Sequence, residues 1–155
     1  MPRLFGAKLA LVRTHAGLTQ TALAQRIPIR QSHISHLEAG RKEPTVDLVV
    51  LLTWIFHVST DYFLQDPIDM EPISRLAVPT TWQGDIVRLG EKLQQLRQTH
   101  GWSQFELGAL LGLSGQGFVS AIERGQKLPS VELLLRMVEI FSLPSDVLLL
   151  DWLEL

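Results

Sequence analysis

The stretch QSHISHLEAGRKEP, Gln31 to Pro44, decides how the chain folds. Its only large apolar residues are Ile34 and Leu37, spaced so that one narrow side of a helix can face a core. The other side carries Gln31, Ser32, Ser35 and His36, and the run stops at Gly40 before Arg41 and Lys42. Much later the chain repeats itself in QGFVSAIERGQKLP, Gln116 to Pro129. Displaced by 84 residues, Lys8 meets Lys92, Leu9 meets Leu93, Arg13 meets Arg97, Gly17 meets Gly101 and Gln20 meets Gln104. After one inserted residue the displacement is 85, pairing Ser35 with Ser120, Glu38 with Glu123, Gly40 with Gly125, Pro44 with Pro129 and Asp61 with Asp146. A unit of about 60 residues is therefore written twice.

Each copy reads as a run of five short helices. Leu4, Leu9 and Val12, like Leu89, Leu93 and Leu96, have helical spacing. Thr19 and Ser103 suit the N-cap of a second helix, and Thr45 and Ser130 that of an apolar fourth. A fifth follows at Ser59 or Ser145. The expected fold class is all-α, with a first domain at 1–65, a linker at 66–84 holding Pro67, Pro72 and Pro79, and a second domain at 85–155.

With 46% apolar and 19% charged residues the chain is expected to fold rather than stay disordered. It has no cysteine, which excludes disulfides and thiolate metal sites and suits a reducing compartment. No stretch approaches the ~18 apolar residues of a membrane span, so a soluble, cytoplasmic protein without a membrane partner is expected. The net charge of −2 hides an asymmetry: residues 1–65 hold seven Lys/Arg against four Asp/Glu, and residues 85–155 hold six against nine.

The segments GLTQTALAQR…IRQSHISHLEAGRKEPTVDLVVLLTWIFHVSTDYFL and GWSQFELGALLGLSGQGFVSAIERGQKLPSVELLLRMVEIFSLPSDVLLL resemble lambda-repressor-like helix-turn-helix domains, the XRE/Cro family of bacterial and phage regulators. The resemblance implies two tandem domains that bind double-stranded DNA, the third helix of each lying in the major groove. Carried onto the first copy, it makes Gln31, Ser32, Ser35 and His36 base-reading residues and Gln20, Arg30, Arg41 and Lys42 phosphate contacts. It also implies structural ion pairs, Arg13 with Glu38 and Arg97 with Glu123. The apolar ending, with Val147, Leu149, Trp152 and Leu153, is expected to self-associate, making a homodimer.

The copies differ where reading would occur. Pro28 stands where Gly112 stands in the second copy, so helix two should end near Arg26. In the second copy Gly117, Phe118 and Ala121 replace Ser32, His33 and His36, and Gly115 and Gly117 weaken the helix start by roughly 1 kcal/mol each. That copy is expected to assemble or regulate. His33 and His36 lie three apart but lack further ligands, so no metal or cofactor is expected. No paired nucleophile and base or phosphate-cradling loop suggests an enzyme. The expected function is a sequence-specific transcriptional regulator, a repressor acting by operator occlusion. Alternatives are that both domains read unequal half-sites, or that the scaffold holds a protein partner as an antitoxin or anti-regulator does.

Overall fold

The computed structural model describes residues 3–66, 86–151 and 153–155. The chain divides into two compact units, Met1–Gly84 and Asp85–Leu155. Among the described residues there are ten α-helices and no strand, five helices in each unit. The first unit has α1 (Phe5–His15), α2 (Gln20–Ala24), α3 (Gln31–Glu38), α4 (Val46–Phe56) and α5 (Thr60–Leu64). The second has α6 (Leu89–Thr99), α7 (Gln104–Leu110), α8 (Gly117–Glu123), α9 (Val131–Phe141) and α10 (Ser145–Leu149). The Pro-containing segment expected as a linker lies outside the described residues, apart from Asp66.

Local chemistry sets the helix starts. Thr19, Ser59, Ser103 and Ser130 each accept a hydrogen bond from a backbone N–H three residues on, satisfying one orphan donor of the first turn. Ser103 completes a capping box with Glu106. Thr45 holds the N-cap position of α4 in extended geometry but makes no such bond.

In each unit α1 or α6 packs against the third and fifth helices. Phe5, Leu9, Leu23, Ile34, Leu37 and Phe63 are each at most 3% exposed, and each such side chain contributes roughly 1.5–3 kcal/mol by leaving water. Gly6 is required by the crossing of α1 with α3: a methyl there would collide with the carbonyl oxygens of Leu37 and Glu38. Gly90 meets Ile122 and Glu123 in the same way.

Two polar devices close each unit. Lys8 and Lys92 are almost wholly buried. Lys8 Nζ donates to Gln65 O at 2.7 Å, and Lys92 Nζ donates to Val147 O at 2.6 Å and Leu150 O at 2.8 Å. Each ammonium thus satisfies carbonyls at the end of the fifth helix, where the helix dipole favours a cation. Burial pushes both lysines below their ordinary pKa. Asp66 then reaches back to the start of the first unit, accepting from Arg3 N and Leu4 N at 2.8 and 3.0 Å. Asp151 does the same for Val87 N and Arg88 N at 3.0 and 2.9 Å. Asp66, expected as the first residue of the linker, thus clasps the start of α1.

Burial raises the Asp66 pKa, but the two backbone N–H bonds and the charges of Lys8 and Arg3 outweigh it and hold it below the ordinary value. A carboxylate depressed in the folded state contributes stability above its unfolded pKa of about 4 and loses it as pH falls through the folded value. Asp66→Ala should cost the first unit about 1 kcal/mol at pH 7. Denaturant titrations at pH 7 and in acid should show the gap from wild type closing as pH drops; an equal gap at both would refute the clasp.

Candidate nucleic-acid interface

The candidate interface is built outward from Arg13 near the end of α1. Its Nε and Nη2 donate to Glu38 Oε1 and Oε2 at 2.6 and 3.0 Å, a bidentate pair with side chains only 12% and 10% exposed. Its Nη1 donates to Leu18 O at 2.6 Å, in the turn before α2. One guanidinium therefore ties the end of α1, the approach to α2 and the last turn of α3. The hydrogen bonds Arg13 donates to Glu38 raise its pKa against the opposing effect of burial. Arg97 repeats the arrangement with Glu123 at 2.6 and 3.1 Å and Trp102 O at 2.8 Å.

The ion pair extends toward the surface. Gln20 Nε2 donates to Glu38 Oε2 at 2.8 Å. A carboxylate only accepts, so the amide nitrogen must face it and the amide oxygen must face away. That oxygen accepts from Gln31 Nε2 at 2.7 Å. The side chain of Gln31, the first residue of α3, is thus oriented through Gln20 and Glu38 by Arg13. Gln20, expected to contact phosphate, thus has its amide oxygen and one of its two N–H groups engaged within the protein. In the second unit Gln104 Nε2 likewise bonds Glu123 at 2.8 Å. Among the described residues the network stops there, with no bond from Gln104 to Gln116.

Around Gln31 the exposed face fills out. Ile34 and Leu37 are buried, Gln31 and Ser32 exposed, and His33, Ser35 and His36 half-buried. Arg30 is the N-cap of α3 and makes no capping bond; Arg41 and Lys42 follow the helix. All three cations are exposed and, among the described residues, have no ion-pair partner. No group of three or more potential metal ligands occurs among the described residues.

The equivalent face of the second unit is different. Gly117 has no side chain, Ala121 is 8% exposed, and Lys127 Nζ lies 5.4 Å from the Phe118 ring centroid. The turns before the two helices differ as well. Gly112, at φ +72°, closes α7 with bonds from Leu113 N to Gly108 O and from Gly112 N to Ala109 O at 2.8 and 3.0 Å. Pro28 cannot adopt that conformation, and α2 stops at Ala24. A tight turn follows, with Ile29 N donating to Ile27 O at 2.8 Å.

The family model described as a helix-turn-helix domain matches twice, at residues 4–61 and 88–152. The chain belongs to that helix-turn-helix family, as two tandem domains. It is similar to the HTH-type transcriptional regulator PrpR of Mycobacterium tuberculosis, 39% identical over 61 residues, covering 39% of this chain and 13% of PrpR. It is 34% identical over 59 residues to the HTH-type transcriptional regulator ImmR of Bacillus subtilis, covering 38% of this chain and 46% of ImmR. It is also 38% identical over 63 residues to the uncharacterized HTH-type transcriptional regulator YgzD of Bacillus subtilis, covering 41% of this chain and 91% of YgzD. No solved structure matches significantly. No helix among the described residues is long and apolar enough to cross a membrane.

The described residues among those expected at a self-association surface differ in burial. Leu149 is fully buried and cannot offer a surface, because α10 packs against α6 and α9. Val147 and Leu153 are half-buried, and Trp152 lies outside the described residues. Sequence reasoning assigned no role to Lys8, Lys92, Asp66 or Asp151. The signal existed in the repeat: Lys8 pairs with Lys92, and the 85-residue displacement carries on from Asp66 to Asp151.

Because Arg13 and Glu38 share hydrogen bonds in a mostly buried setting, their effects should not add. A double-mutant cycle with Arg13→Ala and Glu38→Ala should give a coupling energy of about 0.5–3 kcal/mol in chemical denaturation. Additive losses near zero would mean that water replaces the pair at no cost.

Proposed function

We propose that the protein is a sequence-specific DNA-binding transcriptional regulator whose first unit reads the major groove and whose second unit assembles the molecule. The observation that carries this reading is the oriented Gln31 at the head of an exposed polar α3 flanked by cations that have no ion-pair partner among the described residues. Gln31 uses one N–H on Gln20 and keeps one N–H and its carbonyl oxygen. That pair matches the N7 acceptor and N6 donor of adenine in the major groove. Ser32, Ser35 and His36 supply further donors and acceptors beside it. Arg30, Arg41 and Lys42 contact phosphates, holding register without selecting sequence.

The same comparison argues against a second reader in the chain. A base edge approaching α8 would still meet Gln116 and Ser120, which match Gln31 and Ser35. But Gly117, Phe118 under Lys127 and Ala121 stand where Ser32, His33 and His36 offer hydrogen bonds, and among the described residues nothing ties Gln116 to Gln104. Reading by one unit per chain favours two chains on half-sites about one helical turn apart. Repression by occluding the operator follows from the resemblance to lambda-repressor-like regulators and is the mechanism proposed here.

On a duplex recovered by selection from random sequences, Gln31→Ala and His36→Ala should each weaken specific binding by ~1–3 kcal/mol and leave non-specific binding nearly intact. Arg41→Ala should weaken all sequences alike and reduce the slope of log K against log salt by about one. An unchanged selected motif with Gln31→Ala would remove α3 from the groove.

A further inference from the structure

The seven Lys/Arg residues of 1–65 fall into two groups. Lys8 and Arg13 are held by the fold, and the second unit keeps both, as Lys92 and Arg97. Arg3, Arg26, Arg30, Arg41 and Lys42 are exposed and, among the described residues, have no ion-pair partner. Of these five the second unit keeps only Lys42, as Lys127. The displacements of 84 and 85 residues put Val87, Leu110, Gly115 and Gln126 at the other four positions. The scaffold therefore folds without those four charges, and the unit that lacks them is also the one whose α8 has lost three polar groups.

Arg3 separates folding from function most sharply, because its backbone is held in the same way in both units. Asp66 accepts from the N–H groups of Arg3 and Leu4, and Asp151 from those of Val87 and Arg88. Val87 is 71% exposed, so neither the clasp nor the core selects the side chain at this place. Asp66, with both oxygens on backbone N–H groups, makes no ion pair with the Arg3 guanidinium. Arg3 shares one cleft of about 190 Å³ with Lys42, beside Gly40 and Pro44 at the exit of α3. Glu43 lines the cleft as well and repels an anion drawn inside it. An extended polyanion passing outside meets the two exposed cations without entering, as a duplex backbone does.

We propose that Arg3 contacts a backbone phosphate of the duplex next to the one contacted by Lys42, extending the footprint of the first unit to the segment before α1. Residue 3 lies outside α2, α3 and the loop after α3, which carry the contacts implied by the resemblance. The assignment rests on the reading of the first unit as the DNA-binding one.

The test uses the full chain on its selected duplex and the variant Arg3→Val, which installs the residue that the second unit holds in the same clasp. The slope of log K against log salt should fall by about one, with specific and non-specific binding weakened by the same factor and an unchanged melting curve. A scan with single neutral methylphosphonates then locates the contact. Neutralising one phosphate in each half-site should weaken wild type and Arg41→Ala but leave Arg3→Val unaffected. A slope and methylphosphonate profile like wild type's, on a duplex where Arg41→Ala does lower the slope, overturn the Arg3 contact alone. So does a slope that falls while no phosphate loses its sensitivity, because the charge then acts only at a distance. If Arg41→Ala also leaves the slope unchanged, the reading of the first unit falls and the Arg3 contact with it. If Arg3→Val melts early, Arg3→Gln, which loses the charge and stays polar, decides by the same readouts.

Discussion

The bidentate contact between Arg13 and Glu38 is the constraint on which the first unit's surface depends. Helix α3 has only eight residues and two buried apolar anchors, too few to define its orientation by packing alone. The guanidinium supplies the missing constraint by gripping the last residue of α3 and the carbonyl of Leu18 together. Gly6 lets α1 approach the same turn closely enough for the grip to form. Because the pair is nearly buried, each member has few alternatives, and that restriction is passed through Gln20 to the Gln31 amide.

The duplicated chain contains its own control experiment. Arg97, Glu123, Gln104 and Gly90 rebuild the same hub, so the second unit has kept the architecture that orients a reading helix. What differs is the chemistry presented on it. Gly117, Phe118 and Ala121 remove three polar groups while Gln116 and Ser120 remain, and α7 presents Phe105 and Leu110 instead of Thr21 and Arg26. A fold held by a buried ion pair and a small core leaves its outer positions free to change, and a function proposed for one copy does not transfer to the other by ancestry.

Much of this was legible in the sequence because it was periodic or repeated. The five helices per unit followed from apolar spacing and from caps such as Thr19 and Ser103, whose mechanism is local. The Arg13–Glu38 contact spans 25 residues and came from the family resemblance rather than from spacing. What the sequence hid were the bonds whose partners are decided only by the tertiary fold. Lys8 reads as an ordinary solvated lysine until the fold brings Gln65, 57 positions away, to it, and Asp66 reads as linker until it meets the N–H groups of Arg3 and Leu4. For Gln20 the resemblance implies a phosphate contact from the start of α2, and only the tertiary position of Glu38 decides which way its amide turns. Leu149 was assigned to the surface because an apolar ending does not reveal which of its faces is inward.

The central claim is that one scaffold reads DNA and its duplicate does not. The chain has no cysteine, so a single introduced thiol can carry a DNA-cleaving reagent to one defined place. Ala39 and Arg124 are equivalent exposed positions just after α3 and α8. With the full-length protein on its selected duplex, a reagent on Ala39→Cys should cut focused positions beside each half-site, and one on Arg124→Cys should cut none. Focused cleavage from position 124, or its absence from position 39 on a duplex that is bound, would contradict the account.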